Sequence, residues 1–302
     1  MTIGQNLEHF AGKPVVDFEG KRDASDVVYR LRQDYDDERS QAEMLDAFFE
    51  VIPPAAVESL VIGAWADGPE TNPQDYLDGL VARKGELGSL CALFVGDITY
   101  EENEISWILQ GDYAALLEAF PKLEILRIRG TEQLVLAPFK HTHLRELAIE
   151  SGGLPRDIVQ NLRQSQMPAL KHLELWLGDD GYGFDGSIED LQELLAAIDG
   201  SRLTYLGLRN AQISDDLAEW LAVEPWTSHL QELDLSMGTL GDVGAQALLD
   251  SPYLEQLAVL NLGHHYISDS MQDKLRAKFR KVLLNDPRQA EDDGARYVEV
   301  SE

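Results

Sequence analysis

The stretch Leu203-Thr-Tyr-Leu206-Gly-Leu208 has a spacing of aliphatic residues that recurs along the chain. Aliphatic residues at the first, fourth and sixth positions also mark seven further segments, which begin at Val57, Leu90, Leu123, Leu144, Leu170, Leu230 and Leu257. Successive segments start 21 to 33 residues apart. A short aliphatic strand that restarts at such intervals is typical of leucine-rich repeats, in which each unit buries its apolar residues against its neighbours.

The repeated segments predict an α/β fold of the leucine-rich-repeat solenoid type. We expect a parallel β-sheet on the concave side, a mostly helical convex side, about eight repeats and a cap at each end. The predicted parts are an N-terminal cap over 1–52, the repeats over 53–267, and a C-terminal capping helix and tail over 268–302. Caps are needed because the outermost repeats have a hydrophobic layer and a sheet edge that no neighbour covers.

The two predicted caps have local patterns of their own. Short apolar runs bounded by polar residues indicate strands, whereas apolar residues at three-to-four spacing indicate helices. The predicted elements are strands at 15–18, 27–31 and 296–300, a turn at 19–23, and helices at 41–52 and 268–284.

The connections between the repeated strands also differ from one another. Helical spacing predicts outer helices over 74–84, 113–119, 156–164, 188–198, 215–222 and 242–249. The shortest repeat leaves room only for a compact non-helical return over 131–140. Long segments follow the strands at 63–73, 96–111 and 178–186, and such insertions can form a loop rim beside the concave sheet.

Composition restricts the kinds of partner that the protein can have. Acidic residues outnumber basic ones 54 to 25, which gives a net charge of −29. This charge repels nucleic acid and anionic lipid, so we expect neither as a partner.

The first residues lack a basic flank followed by an apolar stretch, and no window approaches the roughly 18 apolar residues of a membrane span. With Cys91 as the single cysteine, we expect a soluble cytoplasmic protein.

Strand alternation identifies the side chains that face the concave side. Because positions four and six of each segment point into the core, positions three, five and seven point away from it. In the middle repeats these outward positions combine arginines, acids and rings, and the candidate binding residues are Arg127, Arg129, Glu150, His172, Glu174, Trp176, Tyr205, Arg209 and Asp234. Neighbouring strands lie roughly 4.8 Å apart, which brings Trp176 near Arg209.

These outward residues favour a protein- or peptide-binding surface. We expect Trp176 and Tyr205 to be exposed, and an exposed tryptophan and tyrosine among mixed charges are typical of interface anchors. The alternative is a set of ion pairs that bind only each other, since surface pairs of this kind contribute about 0–1 kcal/mol each.

Motifs for catalysis are missing from the sequence. It contains no phosphate-binding glycine loop, no His-Glu-x-x-His helix and no nucleophile elbow, so we predict no enzyme, no cofactor and no metal. The alternative is a metal-dependent, possibly enzymatic, site built around the acidic loop 178–186. Its acids, Asp179, Asp180 and Asp185, do not have calcium-loop spacing, because Phe184 stands where the turn glycine belongs.

Resemblance to a known family is carried by five stretches, Val57–Trp65, Glu104–Gly111, Phe120–Gly130, Leu173–Gly178 and Arg296–Glu302. Through them, and over nearly its whole length, the chain resembles a family of uncharacterised bacterial cytoplasmic leucine-rich-repeat proteins. The resemblance implies a solenoid and no agreed activity. The chain departs from the wider class at the usual asparagine or cysteine position, which holds Trp65, Ile98, Thr131, Gly152, Gly178, Ala211, Gly238 and His265. An internal asparagine ladder is therefore not expected.

Overall fold

A computed structural model describes residues 3–22 and 26–302, which divide into two compact units. The N-terminal unit comprises residues 3–22, 26–149 and 164–169, and the C-terminal unit comprises residues 150–163 and 170–301. Residues 1–2 and 23–25, which include Asp23 of the predicted turn, lie outside the described residues.

The N-terminal unit carries three helices and the first seven strands, except for Glu150 at the end of the seventh. The strands are β1 (His9–Phe10), β2 (Lys13–Asp17), β3 (Val28–Leu31), β4 (Ser59–Gly63), β5 (Ala92–Asp97), β6 (Ile125–Arg129) and β7 (Glu146–Glu150). The helices are α1 (Gln41–Val51), α2 (Gln74–Ala82) and α3 (Ala114–Ala119). The strands follow one another in sequence order; β1 is antiparallel to β2, and the pairs from β2 to β6 are parallel. Helix α1 packs on α2, and α2 on α3.

The C-terminal unit repeats the same arrangement. Its strands are β8 (His172–Gly178), β9 (Tyr205–Ala211), β10 (Glu232–Asp234), β11 (Val259–Asn261) and β12 (Val282–Leu283), all paired in parallel with their sequence neighbours. The helices are α4 (Arg156–Gln164), α5 (Ile188–Ala197), α6 (Ser214–Val223), α7 (Asp242–Asp250) and α8 (Asp269–Lys278). Helices α5 to α8 pack in order, each on the next.

The repeated aliphatic positions form the core, as the sequence predicts. All 24 of them, three in each of eight segments, are at most 5% exposed. In the C-terminal unit the strand register aligns equivalent positions, with Leu206 paired to both Leu173 and Leu233. The predicted leucine-rich-repeat fold is therefore confirmed. Each fully buried leucine contributes about 1.5–3 kcal/mol to folding.

Parallel pairing begins inside the segment predicted as the N-terminal cap. Strand β2 already pairs in parallel with β3, and β3 continues the register into β4 through Leu31 and Ile62. Only β1 runs antiparallel within this unit's described pairs. The predicted cap boundary at residue 52 has no independent test and stays a prediction.

Two predictions near the C-terminus are wrong in detail. The capping helix was predicted over 268–284, but α8 ends at Lys278 and residues 282–283 form β12. The reason is the open edge of β11, whose Leu260 and Leu262 donate backbone hydrogen bonds of 2.9 Å to Lys281 and Leu283. Residues 296–300 do not form a strand. The segment does not pair along a neighbouring strand, and a backbone hydrogen bond goes from Glu299 to Met237, beyond the end of β10.

Candidate functional site

The concave face, meaning the side of the sheet that carries positions three, five and seven, is covered in the N-terminal unit. The N-terminal segment folds over this face and buries Phe10 against the sheet. The resulting apolar cluster consists of Phe10, Val28, Val61, Ala92 and Phe94, with Leu7, Val15 and Ile125 packed against it. The expectation of an open surface is therefore wrong for this part of the sheet, since apolar side chains at outward positions gain burial from the chain's own terminus.

Two candidate residues, Arg127 and Arg129, lie in this N-terminal unit. Arg129 is only 6% exposed; its Nη1 donates a 2.8 Å hydrogen bond to the carbonyl of Ile98 and lies 3.6 Å from Oδ1 of Asp97. Both guanidinium groups approach the ring of Phe94, at 5.5 and 5.3 Å respectively. Arg129 therefore acts as an internal contact of the unit, whereas Arg127 remains half-buried.

The other candidates belong to the C-terminal unit, where the concave face is partly open. The first residues of β8 to β11, which hold the third position of their repeats, are aligned by the strand register. His172 pairs with Tyr205, Tyr205 with Glu232, and Glu232 with Val259. All four residues, which we call the concave stripe, are half-buried. The rings of His172 and Tyr205 stack at 3.8 Å with an angle of 2° between their planes. The stripe therefore presents a stacked, partly exposed aromatic pair beside a carboxylate.

Side chains at the fifth and seventh positions of the repeats form a hydrogen-bonded network that holds Tyr205 of the concave stripe in place. The hydroxyl of Tyr205 donates to Oε2 of Glu174 at 2.7 Å and lies 3.4 Å from Oδ2 of Asp234. The Arg209 guanidinium donates to Oε1 of Glu174 at 3.0 Å and to the Ser236 hydroxyl at 3.1 Å. Because Glu174 and Asp234 are each only 4% exposed, this network fixes the tyrosine ring in one orientation.

Charges in the network are unbalanced towards the negative side. Burial lowers the pKa of Arg209, but the carboxylates of Glu174, Asp234 and Glu150 outweigh it and leave that pKa above its usual value. Burial, followed by the nearby charges of Glu174 and Asp234, raises the pKa of Tyr205, so its hydroxyl remains a donor. Two buried carboxylates, those of Glu174 and Asp234, thus lie beside one guanidinium, at 3.0 and 3.5 Å.

Trp176 is not the exposed anchor that the sequence predicts. The predicted approach of Arg209 is confirmed, since its guanidinium carbon lies 5.0 Å from the centre of the Trp176 ring. However, Trp176 is only 4% exposed, and its Nε1 donates a 2.8 Å hydrogen bond to Glu174. Glu150 is fully buried as well. Strands about 4.8 Å apart leave no space between long side chains, so these residues bury one another.

Carboxylates of the acidic loop 178–186 accept hydrogen bonds from backbone N–H groups, one within the loop and one outside it. Oδ1 of Asp179 accepts a 2.9 Å hydrogen bond from Gly181, and Oδ1 of Asp185 accepts a 2.6 Å hydrogen bond from the backbone of Arg156. Burial raises the pKa of Asp179, which opposes the charged form that a cation needs. Across residues 3–22 and 26–302, no group of three or more His, Cys, Asp or Glu side chains is arranged to hold a metal ion.

Exposed aromatic side chains border the N-terminal unit, and sequence reasoning found them only in part. Tyr35, Tyr100 and Trp107 are 62%, 56% and 61% exposed. The sequence predicts the segment 96–111, which holds both Tyr100 and Trp107, as part of the loop rim, but it does not identify Tyr35. Glu232 was missed as a site residue too, although alternation places it outward. The available signal for Tyr35 was an aromatic residue among the acids of 34–38, directly after a strand.

The buried aliphatic repeats, the parallel strands and the serially packed helices define a leucine-rich-repeat protein. The chain is 30% identical to a Bacteroides fragilis protein of known crystal structure, with a TM-score of 0.81 over 90% of this chain and 77% of that one. At this identity and coverage, the chain belongs to the same bacterial family of leucine-rich-repeat proteins.

Other comparisons add little to this family relationship. An internalin (inlF) from Listeria monocytogenes is 14% identical and gives a TM-score of 0.37 over 84% of this chain and 66% of that one. No protein-family model matches the chain, and no curated protein matches it. Within the described part of the chain, no helix combines the length and the apolar character needed to cross a membrane.

Proposed function

We propose that the protein is a cytoplasmic, non-catalytic scaffold that binds a protein or peptide. The proposed binding surface is the concave stripe of the C-terminal unit, with the loop rims as additional contact areas. The observation that carries the proposal is the stacked pair His172 and Tyr205, held beside Glu232 by a buried network. A partly exposed aromatic pair of this kind suits a macromolecular ligand better than a small molecule, which needs an enclosing cavity.

Rigid positioning of the stripe favours binding. A side chain that is ordered before the partner arrives saves roughly 0.5–1.5 kcal/mol of ordering cost on association. Tyr205 meets this condition, because its hydroxyl is bonded to Glu174 and its ring stacks on His172. Aromatic residues that are pre-ordered in this way are frequent binding hot spots.

The charges of the site favour a partner segment with basic side chains. Arg209 is engaged by Glu174, Ser236 and Trp176, so it has little capacity for an acidic ligand. Burial, followed by the neighbouring acids Asp234 and Glu174, raises the pKa of Glu232 by more than the charges of Lys281 and Arg209 lower it. A further cation beside Glu232 would therefore stabilise its charged form. A lysine or arginine of the partner can also lie over the Tyr205 ring.

Binding of a labelled lysine- and arginine-containing peptide, followed by fluorescence anisotropy, tests this proposal. We expect the double variant His172→Ala, Glu232→Gln to bind at least about tenfold more weakly, a loss of roughly 1.4 kcal/mol. The matched control His143→Ala, Glu189→Gln removes the same residue types from exposed positions elsewhere, so it has the same net charge. Equal losses in both variants would mean that the peptide senses only the overall charge, and the proposal would be wrong.

The loop rim of the N-terminal unit supports a second contact area of the scaffold. Tyr35 and Asn103 border the same cavity of about 210 Å³, and the Asn103 side chain bonds to the carbonyl of Trp107 at 3.3 Å. Tyr35 is the exposed ring that lines this cavity, and Trp107 is linked to it through Asn103; exposed apolar side chains grouped in this way are typical of protein contact sites. We expect the double variant Tyr35→Ser, Trp107→Ser to weaken partner capture without changing the melting temperature.

Cytoplasmic location is part of the same proposal. Cys91 is a free thiol, which suits a reducing compartment. Fractionation of the native cells with a specific antibody tests the location. Recovery of the protein in the membrane or secreted fraction would contradict it.

A further inference from the structure

The C-terminal tail, residues 296–300, lies across the ends of three neighbouring repeats in the C-terminal unit. Asn210, Met237 and His264 occupy equivalent positions, 27 residues apart, just after the outward residues of β9 to β11. All three have positive φ angles of 53°, 69° and 55°. Residues other than glycine rarely adopt such a backbone conformation, so the surrounding contacts must hold these three residues in it. The three residues form a row across neighbouring repeats.

Each member of this row contacts one part of the tail. The side chain of Asn210 holds Val300 by two hydrogen bonds: Oδ1 accepts from its backbone N–H at 3.0 Å, and Nδ2 donates to its carbonyl. The Met237 carbonyl accepts a 2.8 Å hydrogen bond from the N–H of Glu299. Nε2 of His264 lies 3.1 Å from the carbonyl of Tyr297. The row therefore recognises main-chain groups of an extended segment.

The spacing of the repeats matches the length of an extended chain. Neighbouring strands are separated by about 4.8 Å, so two steps from β11 to β9 cover about 10 Å. Three residues of extended chain, from 297 to 300, also cover about 10 Å. An extended peptide that crosses the strands can therefore meet one bonding residue in each repeat.

Side chains of the tail add selectivity to these main-chain contacts. Val298 and Val300 are 8% and 7% exposed, so alternate residues face the protein. Arg296 pairs with Asp215 at 3.0 Å, donates to the Thr239 carbonyl at 3.1 Å, and lies 5.7 Å from the centre of the Tyr266 ring. The groove formed by Asn210, Asp215, Met237, Thr239, His264 and Tyr266, which we call the tail groove, thus fits a basic residue followed by apolar residues at alternate positions.

The tail reaches this groove through an exposed connection. Every residue from 285 to 294 is exposed, whereas the chain becomes buried again at Val298 and Val300. A bound segment that follows an exposed linker has the layout of a tethered ligand. Tethering through a short linker holds such a ligand at an effective concentration on the order of millimolar.

We propose that the tail groove is a peptide-binding site and that residues 296–300 are its resident, exchangeable ligand. The partner is an extended protein segment with an arginine or lysine followed by β-branched residues at alternate positions, and it binds by displacing the tail. The tail then acts as a built-in competitor that keeps the groove closed to weaker or mismatched segments. The tail groove is separate from the concave stripe, so either site can fail a test while the other passes.

A cut in the exposed linker of the full chain tests this proposal. A protease site inserted between Gln289 and Ala290 leaves the folded protein intact until cleavage, after which the tail is held by non-covalent contacts alone. The probe is a labelled synthetic peptide with the sequence of residues 295–302, measured by fluorescence anisotropy. We expect the cleaved protein to bind the probe and the uncut protein to bind it at least about tenfold more weakly, because the tethered tail competes.

Two changes locate the binding in the groove. A probe that carries Val298→Asp and Val300→Asp should not bind the cleaved protein, and this comparison uses unchanged protein. Asn210→Ala in the cleaved protein should weaken binding at least about tenfold, whereas Gln192→Ala on the exposed side of α5 should not. Failure of the cleaved protein to bind the probe, or equal binding by cut and uncut protein, would overturn the proposal.

Discussion

The indole Nε1 of Trp176 donates a 2.8 Å hydrogen bond to Oε1 of Glu174, two residues earlier on the same strand. Both side chains lie on the concave face, and both are only 4% exposed. The largest side chain at an outward position is therefore part of the folded interior of its unit. Its replacement tests folding, not recognition.

Trp176→Ala should destabilise the protein by about 3–5 kcal/mol, because it leaves a cavity and removes the donor that Glu174 accepts. Denaturant unfolding measures this change. An unchanged midpoint would mean that the ring is exposed in solution and that the buried network is not formed.

Leu206→Ala and Leu233→Ala should each destabilise the protein by about 2–5 kcal/mol, since both residues are fully buried at repeat positions. Val243→Ala on α7 is the matched control, because Val243 is 58% exposed and should change stability by less than about 0.5 kcal/mol. Similar, small losses in all three variants would contradict the repeat assignment.

The repeat pattern predicts the strands and the core, because each copy of the aliphatic spacing marks a strand whose aliphatic residues are buried. It also predicts that Trp176 and Arg209 are neighbours, since strand register follows from aligning Leu173 with Leu206. It cannot predict the contacts of the chain ends. Asn210 and Val300 are 90 residues apart, as are Leu7 and Asp97, and no periodic signal links them.

The burial of Trp176 was missed for a related reason. Alternation gives the direction of a side chain and not the space around it. In the C-terminal unit, Arg209 and Glu174 occupy the space beside the ring, so an outward position is closed by its own neighbours.

Deletion of residues 295–302 should lower stability by about 1–3 kcal/mol, because it exposes the apolar surface under Val298 and Val300 and removes two of the hydrogen bonds of the Asn210 side chain, which keeps the one to the Ser151 carbonyl. Denaturant unfolding and light scattering check the result together. A deletion that changes neither stability nor association would show that the tail contributes nothing to the fold.

His141 should make stability depend on pH. It is 2% exposed; Nδ1 accepts a 3.1 Å hydrogen bond from Leu144, and Nε2 donates to the Phe120 carbonyl at 3.0 Å, which requires the neutral ring. Burial lowers its pKa below the usual value. Its contribution is therefore complete above about pH 6.5 and declines as the pH falls from there through the folded-state pKa, since only the unfolded chain takes up the proton.

The His141→Gln variant isolates this contribution from the many carboxylates. The loss of stability between about pH 7.5 and 5.5 should be smaller in the variant than in the unaltered protein. Equal losses in the two proteins would mean that His141 titrates alike in the folded and unfolded states.

Selection of a randomised peptide library on the immobilised protein tests the proposed scaffold function most directly. We expect enrichment of peptides that contain lysine or arginine, and binding of those peptides should fall at least about tenfold in the variant His172→Ala, Glu232→Gln but not in the control His143→Ala, Glu189→Gln. No enrichment, or enriched peptides that bind both variants equally well, would contradict the assignment of recognition to the concave stripe.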